Sequence, residues 1–376
     1  MHTHTRTQIR THTHTHTHTH THTHTHTHTH THHLLGFHQD NQLSGFPSVD
    51  HIWHSTKVDL NLQGAIIKDC SCQTCLWIMH TKGSTECCCS FEDYNQTTEW
   101  LLSRTRHRPK IAVVCGSGLG LLADGVTNKE IFPYADIPNF PVSTVPGHEG
   151  CLVFGILKGK SCVFMQGRFH LYEGYSLCKV TFPVRIFKLL GVETLIVTNA
   201  SGGLCPDFKV GDIMLIKDHI NLPGFAGQHP LCGPNDERFG IRFPCMSDAY
   251  SKDLRKLALD ISQELDYTNF VREGVYCMVS GPNFETIAEA RMLQVLGCDS
   301  VGMSTVPEVT VAKHCGLRVF GLSLITNKVS LDYSREEKVN HEEVLEISKM
   351  RAEHLQMMLN TLIARSHQLD EGINVN

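Results

Sequence analysis

No stretch of the 376 residues approaches the about eighteen consecutive apolar side chains that mark a membrane-spanning helix. No apolar core stands near the start, so a secretory signal is not expected and a cytoplasmic location is. Charge of one sign is also scarce. With a formal net charge of −5, nothing points to nucleic acid or an anionic membrane as a partner, and any phosphate must be held in a local basic pocket. Two nucleotide motifs are missing. The run Gly116-Ser-Gly-Leu-Gly120 is followed by Leu121, which rules out the dinucleotide pattern Gly-x-Gly-x-x-Gly. No Lys-Ser or Lys-Thr pair follows it, which rules out a Walker loop. Cysteine, by contrast, is plentiful. Sixteen of them would read as a disulfide scaffold in a short secreted chain, but in a long chain without a signal they are expected to be reduced thiols.

The chain changes character twice. Residues 1–33 are an almost pure His-Thr alternation holding about half of the 27 histidines. With no apolar face to bury, this repeat is expected to be disordered. Residues 34–90 form an irregular leader with Cys70, Cys72, Cys75 and the run Cys87 to Cys89. Cys72-Gln-Thr-Cys75 has zinc-knuckle spacing, with His80 near it. No second spaced pair completes a site, and three consecutive cysteines cannot all face one ion, so no metal is expected. Residues 91–366 read as the folded domain and 367–376 as a tail.

Within the folded part, helices and strands alternate. Ile111–Cys115 is an apolar run ended by glycine, the mark of a buried strand entering a tight turn. Cys151–Leu157 and Ser161–Gln166 are apolar runs split by Lys158-Gly-Lys160, a hairpin signal. Further strands are expected at 194–198, 212–216, 275–279 and 317–325. Helices are expected at 91–102, 179–190, 251–265, 285–296 and from His341 to about Ala364. The pattern predicts one α/β domain with a central mixed sheet flanked by helices.

Polar clusters fall at strand ends, where open α/β sheets place ligands. The glycines at 116, 118 and 120 can let backbone N–H groups converge on an anion, with the Ser117 hydroxyl among them; a plain sharp turn explains them equally. Gly167-Arg-Phe-His-Leu-Tyr-Glu-Gly174 follows a strand. There Arg168 can fork onto a phosphate, His170 can add a donor and Tyr172 a hydroxyl and a ring face. Asn199-Ala-Ser-Gly-Gly203 offers exposed backbone N–H groups, and Pro146-Gly-His148 is a rigid turn displaying one His. Phe284 could stack on a flat heterocycle. Glu285 is either a ligand or a first-turn acid, Ser304 either a ligand or an N-cap, and His341 either a site residue or surface. Asn327 ends the last strand, where an amide could read a base edge.

These motifs, together with Gly281-Pro-x-Phe-Glu285, Gly302-Met-Ser-Thr-Val-Pro-Glu308 and Ile325-Thr-Asn327, stand in one order at one spacing. In that respect residues 90–366 resemble the low-molecular-weight, trimeric purine nucleoside phosphorylases, the vertebrate members above all. The resemblance implies phosphorolysis of inosine, guanosine and their deoxy forms to free base and pentose 1-phosphate, a salvage reaction. It implies inorganic phosphate as co-substrate, no metal or organic cofactor, and a homotrimer. It assigns phosphate to Ser117, His148, Arg168, His170, Ala200 and Ser304. It assigns the ribose to Tyr172, Met303 and His341, and the purine to Glu285 and Asn327, with Phe284, Val301 and Gly202 shaping the pocket. Phe243 would come from a neighbouring subunit. Asn327, Glu285 and His170 would carry the chemistry. The near rival is methylthioadenosine phosphorylase, which carries Asp in place of Asn327 and an apolar residue in place of His341. A rival of another class is a metal-binding scaffold built on the His and Cys leader. Two departures from relatives are Asn283, where Ser is usual, and Cys178, where mammalian members have Trp.

Overall fold

Ser90 starts the first helix. Its hydroxyl accepts from the Asp93 N–H while the Asp93 carboxylate accepts from the Ser90 N–H, a reciprocal cap that fixes α1 at Phe91–Leu102. The computed structural model describes residues 89–334 and 340–366. The His-Thr repeat, the cysteine leader up to Cys88 and the tail from residue 367 lie outside the described residues.

After α1 the chain runs through β1 (Ile111–Cys115), β2 (Thr127–Pro133) and the hairpin β3 (Cys151–Leu157) and β4 (Lys160–Gln166). The helices α2 (Leu177–Val180) and α3 (Phe182–Leu189) lead into β5 (Thr194–Gly203) and β6 (Ile213–Asn221). Then come α4 (Leu222–Phe225), α5 (Lys252–Glu264), β7 (Val271–Met278), α6 (Ile287–Val295) and β8 (Ser300–Gly302). The helix α7 (Val306–His314), the strand β9 (Arg318–Lys328) and the helix α8 (His341–Arg365) end the described chain.

The strands form one mixed sheet in the order β2-β3-β4-β1-β5-β8-β7-β6-β9. A further parallel pairing of β5 with β9 closes the last five strands into a ring. The strand β1 lies between β4 and β5, parallel to both, and is buried on both faces. That is why it reads as an unbroken apolar run rather than an alternation. Ala112 and Val114 join a core shared with α1, α3 and α7; Ile111, Val113 and Cys115 join one shared with α5 and α8. The central mixed sheet flanked by helices is therefore as expected.

Several boundaries differ for local reasons. The expected helix 179–190 is two helices. Pro183 has no N–H to continue the first, so the chain turns at Thr181 and Pro183 sits in the first turn of α3. The helix expected from Glu285 begins at Ile287, because a capping box between Thr286 and Glu289 sets its start. Asn199–Gly203 is not a loop after the strand: it is the second half of β5, paired with β9 through Gly203 and Lys328. Such residues have low strand propensity, and the paired neighbour overrides it. The strands β2 and β8 and the full length of α7 were not expected. The strand β2 is a largely exposed edge, β8 has three residues, and α7 is buried nearly all round, so none has a telling period.

Candidate active site

The ends of β1, β4, β5, β8 and β9 open on one cavity of about 570 Å³. Ser117, Arg168, His170, Ala200 and Ser304 line it, as do Tyr172, Met303 and His341. So do Gly202, Phe284, Glu285, Val301 and Asn327. Two expected residues do not line it. His148 stands behind the wall, its Nε2 3.2 Å from the Ser117 hydroxyl and its ring stacked on His170 with centroids 5.4 Å apart. Phe243 is 84% exposed and away from the cavity of its own chain.

Arg168 is fully buried and mostly committed. Its Nε donates to Glu308 Oε1 at 3.1 Å and its Nη1 to the Thr198 carbonyl at 2.6 Å. Only Nη2 lacks a partner. The two-nitrogen fork expected for an anion is thus reduced to one charged donor on a fixed side chain. Gly116 also has a different task. Its N–H donates to the Thr198 hydroxyl at 3.1 Å, and a Cβ there would lie 2.7 Å from the Asn199 Cα. The first glycine lets β1 pass close to β5 rather than offering its N–H to an anion.

His170 is held from three sides. Its Nδ1 lies 3.0 Å from Glu173 Oε2, and its backbone N–H donates to the same oxygen at 2.8 Å. Tyr172 stacks on its ring at 4.5 Å. Burial opposes ionisation of Glu173, but hydrogen bonds from His170 and from the Thr144 N–H and hydroxyl outweigh it and hold the carboxyl at about 2. Glu173 is therefore an acceptor at neutral pH, Nδ1 carries the proton it receives, and Nε2 is left for the cavity. Burial also keeps the His170 imidazole below its usual range.

Burial, with His170 and Arg168 nearby, pushes His148 down to about 3. The unfolded chain would take up a proton near the ordinary pKa of about 6.5, whereas the native ring would not. Stability supplied this way is full above pH of about 6.5 and lost as pH falls toward 3. Urea midpoints measured across that range should fall with pH, and the fall should be shallower in His148→Gln.

Ser304 is aimed by a strained neighbour. Thr305 has φ of 77°, a conformation that a β-branched residue avoids. Its hydroxyl accepts from Asn199 Nδ2 at 2.9 Å, while the Ser304 N–H donates to the Tyr276 hydroxyl at 3.3 Å. Such a residue costs about 1–3 kcal/mol and persists only where the surroundings hold it. Thr305, not Ser304, is the N-cap residue of α7.

At the other end of the cavity, the register of β9 against β5 slips by one residue. Ser201 pairs with Ile325 but Gly202 pairs with Asn327, so Thr326 is extra. A bulge re-aims the side chains after it, and here Asn327 lines the cavity. The Thr326 hydroxyl lies 3.3 Å from Asn327 Oδ1 and can donate to it, leaving Nδ2 as the amide's donor. Glu285 precedes α6 rather than sitting in its first turn, and burial raises its carboxyl above the usual range. Phe284 is partly exposed beside it. His341 Nε2 lies 3.1 Å from the Pro146 carbonyl, across the cavity mouth.

Several residues that fix the site have roles the sequence does not show. Glu173 and Asn199 line the cavity, while Glu308, Thr305 and Tyr276 support it from behind. All but Tyr276 stand inside the quoted motifs, yet their partners are distant in the chain, as Glu308 meets Arg168 across 140 positions.

Residues 110–364 match the phosphorylase superfamily. The purine nucleoside phosphorylase of Bos taurus is 62% identical over 275 residues, 73% of this chain and 95% of the bovine protein. This chain belongs to the purine nucleoside phosphorylases. Members with solved structures share the fold. The Schistosoma mansoni enzyme in complex with inosine superposes with a TM-score of 0.72 at 48% identity, over 74% of this chain and 98% of that one. The same enzyme in complex with adenosine gives 0.72 at 49%, over 74% and 99%. As a phosphorylase domain the chain has, among the described residues, no cluster of three His, Cys, Asp or Glu side chains able to hold a metal, and no helix long and apolar enough to cross a membrane.

Proposed function

We propose that this phosphorylase cleaves the N-glycosidic bond of 6-oxopurine nucleosides, using inorganic phosphate as the acceptor. One observation carries the reading: a single cavity has a buried cation at one end and a carboxyl and an amide at the other. Phosphate would sit against Arg168 Nη2, the Ser117 and Ser304 hydroxyls, His170 and the Ala200 backbone. His148 would act through Ser117. The ribose would lie on Met303 between Tyr172 and His341, whose imidazole would exchange the Pro146 carbonyl for the 5′-hydroxyl.

In the reaction a phosphate oxygen bonds C1′ as the C1′–N9 bond breaks, and the electron pair leaves with the purine. Positive charge grows on the sugar beside the dianionic phosphate. Negative charge grows on the base, where Asn327 Nδ2 can donate to N7 or O6. Contacts that strengthen as charge develops lower the barrier. The raised carboxyl of Glu285 suits a partner that shares a proton with it, and the N1–H of a 6-oxopurine is one. No protein group needs to become covalently bound.

Asn327 and His341 argue against methylthioadenosine as the preferred substrate, since a 6-amino group asks for an acceptor and a methylthio group for an apolar wall. A metal scaffold on the leader is separated by truncation. The full chain and a chain lacking residues 1–88 should both phosphorolyse inosine, with methylthioadenosine the poorer substrate. Preference for methylthioadenosine would reverse the assignment, and loss of activity on truncation would return the leader to the mechanism. Because Phe243 is exposed and leaves the cavity of its own chain without that side chain, we assign it to a neighbour's cavity in a homotrimer. The described cysteines are all free thiols, which suits the reducing cytoplasm.

A further inference from the structure

Asn199 is 1% exposed and lines the nucleoside cavity. It stands among the groups assigned to phosphate. The carbonyl before it, of Thr198, accepts from Arg168 Nη1 at 2.6 Å, and the residue after it is Ala200. A Cβ on Gly116, the neighbour of Ser117, would lie 2.7 Å from the Asn199 Cα. One end of its amide reaches Ser304 through a single hydroxyl. Nδ2 donates to Thr305 Oγ1 at 2.9 Å, and Thr305 Oγ1 lies 3.2 Å from Ser304 Oγ. With an oxygen lone pair so engaged, the Thr305 O–H is free to donate to Ser304 Oγ, and the Ser304 proton is left for an anion. The other end of the amide, Oδ1, is buried with no partner. Glu308 Oε2 is also buried and unpartnered, but Glu308 does not line the cavity.

A site for a bare oxyanion is built of donors alone, and an acceptor within it repels. An acceptor left without a donor is costly unless the ligand brings one. We propose that Asn199 is a specificity-determining residue, whose Oδ1 accepts from the P–O–H of monohydrogen phosphate and rejects tetrahedral dianions that carry no proton. The inference rests on phosphate occupying the Arg168 end of the cavity. Sulfate and monofluorophosphate match monohydrogen phosphate in charge and closely in shape. Each sets a lone pair against Oδ1 where phosphate can set a hydrogen. The protonated oxygen of phosphate is also the poorest nucleophile of its four. Held on Asn199, it leaves the three bare oxygens to the charged and hydroxyl donors and to C1′.

The test is isothermal titration of the full chain with phosphate, sulfate and monofluorophosphate, at equal ionic strength and at a pH where phosphate is the monohydrogen dianion. A hydrogen bond to a charged group is worth a factor of about ten or more in affinity, so phosphate should bind at least about tenfold tighter than either rival. In Asn199→Ala that preference should fall to within about threefold of parity, with phosphate losing most. Asn199→Asp keeps the shape and the acceptor. It should weaken all three anions by repulsion yet retain their order. A purely structural role, through Thr305 and Ser304, makes a different prediction: Asn199→Ala weakens all three by one factor and the preference stays. That result overturns the proposal. So does a parent chain that binds the three alike, a measurement that needs no variant to fold. Inosine phosphorolysis by the parent separates the two claims. Turnover with no anion preference overturns the role of Asn199 alone, and no turnover with phosphate overturns the phosphate site beneath it.

Discussion

Asn327→Ala is expected to lower the turnover of inosine phosphorolysis by roughly a hundredfold or more. The bulge at Thr326 turns this side chain into the cavity, and the Thr326 hydroxyl can occupy Oδ1, so that Nδ2 is the group offered to the leaving purine. In the ground state that contact is a neutral hydrogen bond worth little beyond what water gives. As the C1′–N9 bond breaks, the acceptor gains charge and the bond strengthens. Removing one donor to a developing charge costs about 2.7–4 kcal/mol in comparable sites. The loss should fall on kcat, with the KM for phosphate little changed, because the proposed phosphate site lies at Arg168, away from Asn327. An unchanged rate would remove Asn327 from the mechanism. Asn327→Asp is the informative companion: a carboxylate would repel charge growing on a 6-oxopurine yet accept from a 6-amino group, so inosine should suffer more than adenosine.

Glu308→Ala should be the most destabilising single change at the site. Arg168 and Glu308 are each at most 3% exposed and meet at 3.1 Å. Deleting the carboxylate leaves a buried guanidinium with no counter-charge, an error that costs about 3–5 kcal/mol. Urea denaturation would show it. The double variant Arg168→Met with Glu308→Met separates structure from function. A buried ion pair replaced by apolar side chains of similar volume is often neutral for stability, so this chain should regain much of the loss. It should not regain phosphate affinity, because Nη2 is gone. A Glu308→Ala chain as stable as the parent would show that Arg168 finds its balance elsewhere. A double variant that still saturates with phosphate at the parental concentration would take Arg168 out of the phosphate site.

The strands with unbroken apolar runs were legible because burial on both faces leaves no room for polar residues, as at Ile111–Cys115. Helix starts were legible to within a residue. The helix α1 begins at Phe91 as expected, and α5 begins at Lys252, one residue after the expected place, because Ser251 is its cap. Failures came where tertiary pairing overrode local preference. Asn199–Gly203 reads as a loop and is a strand because β9 lies beside it. The helix α7 has no polar face to betray its period, because it is buried almost all round.

For the site, chain order and residue type alone determined which polar side chains were available, and which family the motifs resemble. Only the folded chain decided what each group is free to do. Arg168 reads as a two-pronged donor, yet Glu308, 140 positions away, and the Thr198 carbonyl leave it a single free nitrogen. Glu285 reads as either a ligand or a first-turn acid, yet the capping box of Thr286 with Glu289 starts the helix two residues beyond it. The reason is that residue type fixes which donors and acceptors a side chain possesses. Which of them are already satisfied depends on partners brought near by packing, and those partners lie too far along the chain for local pattern to reveal.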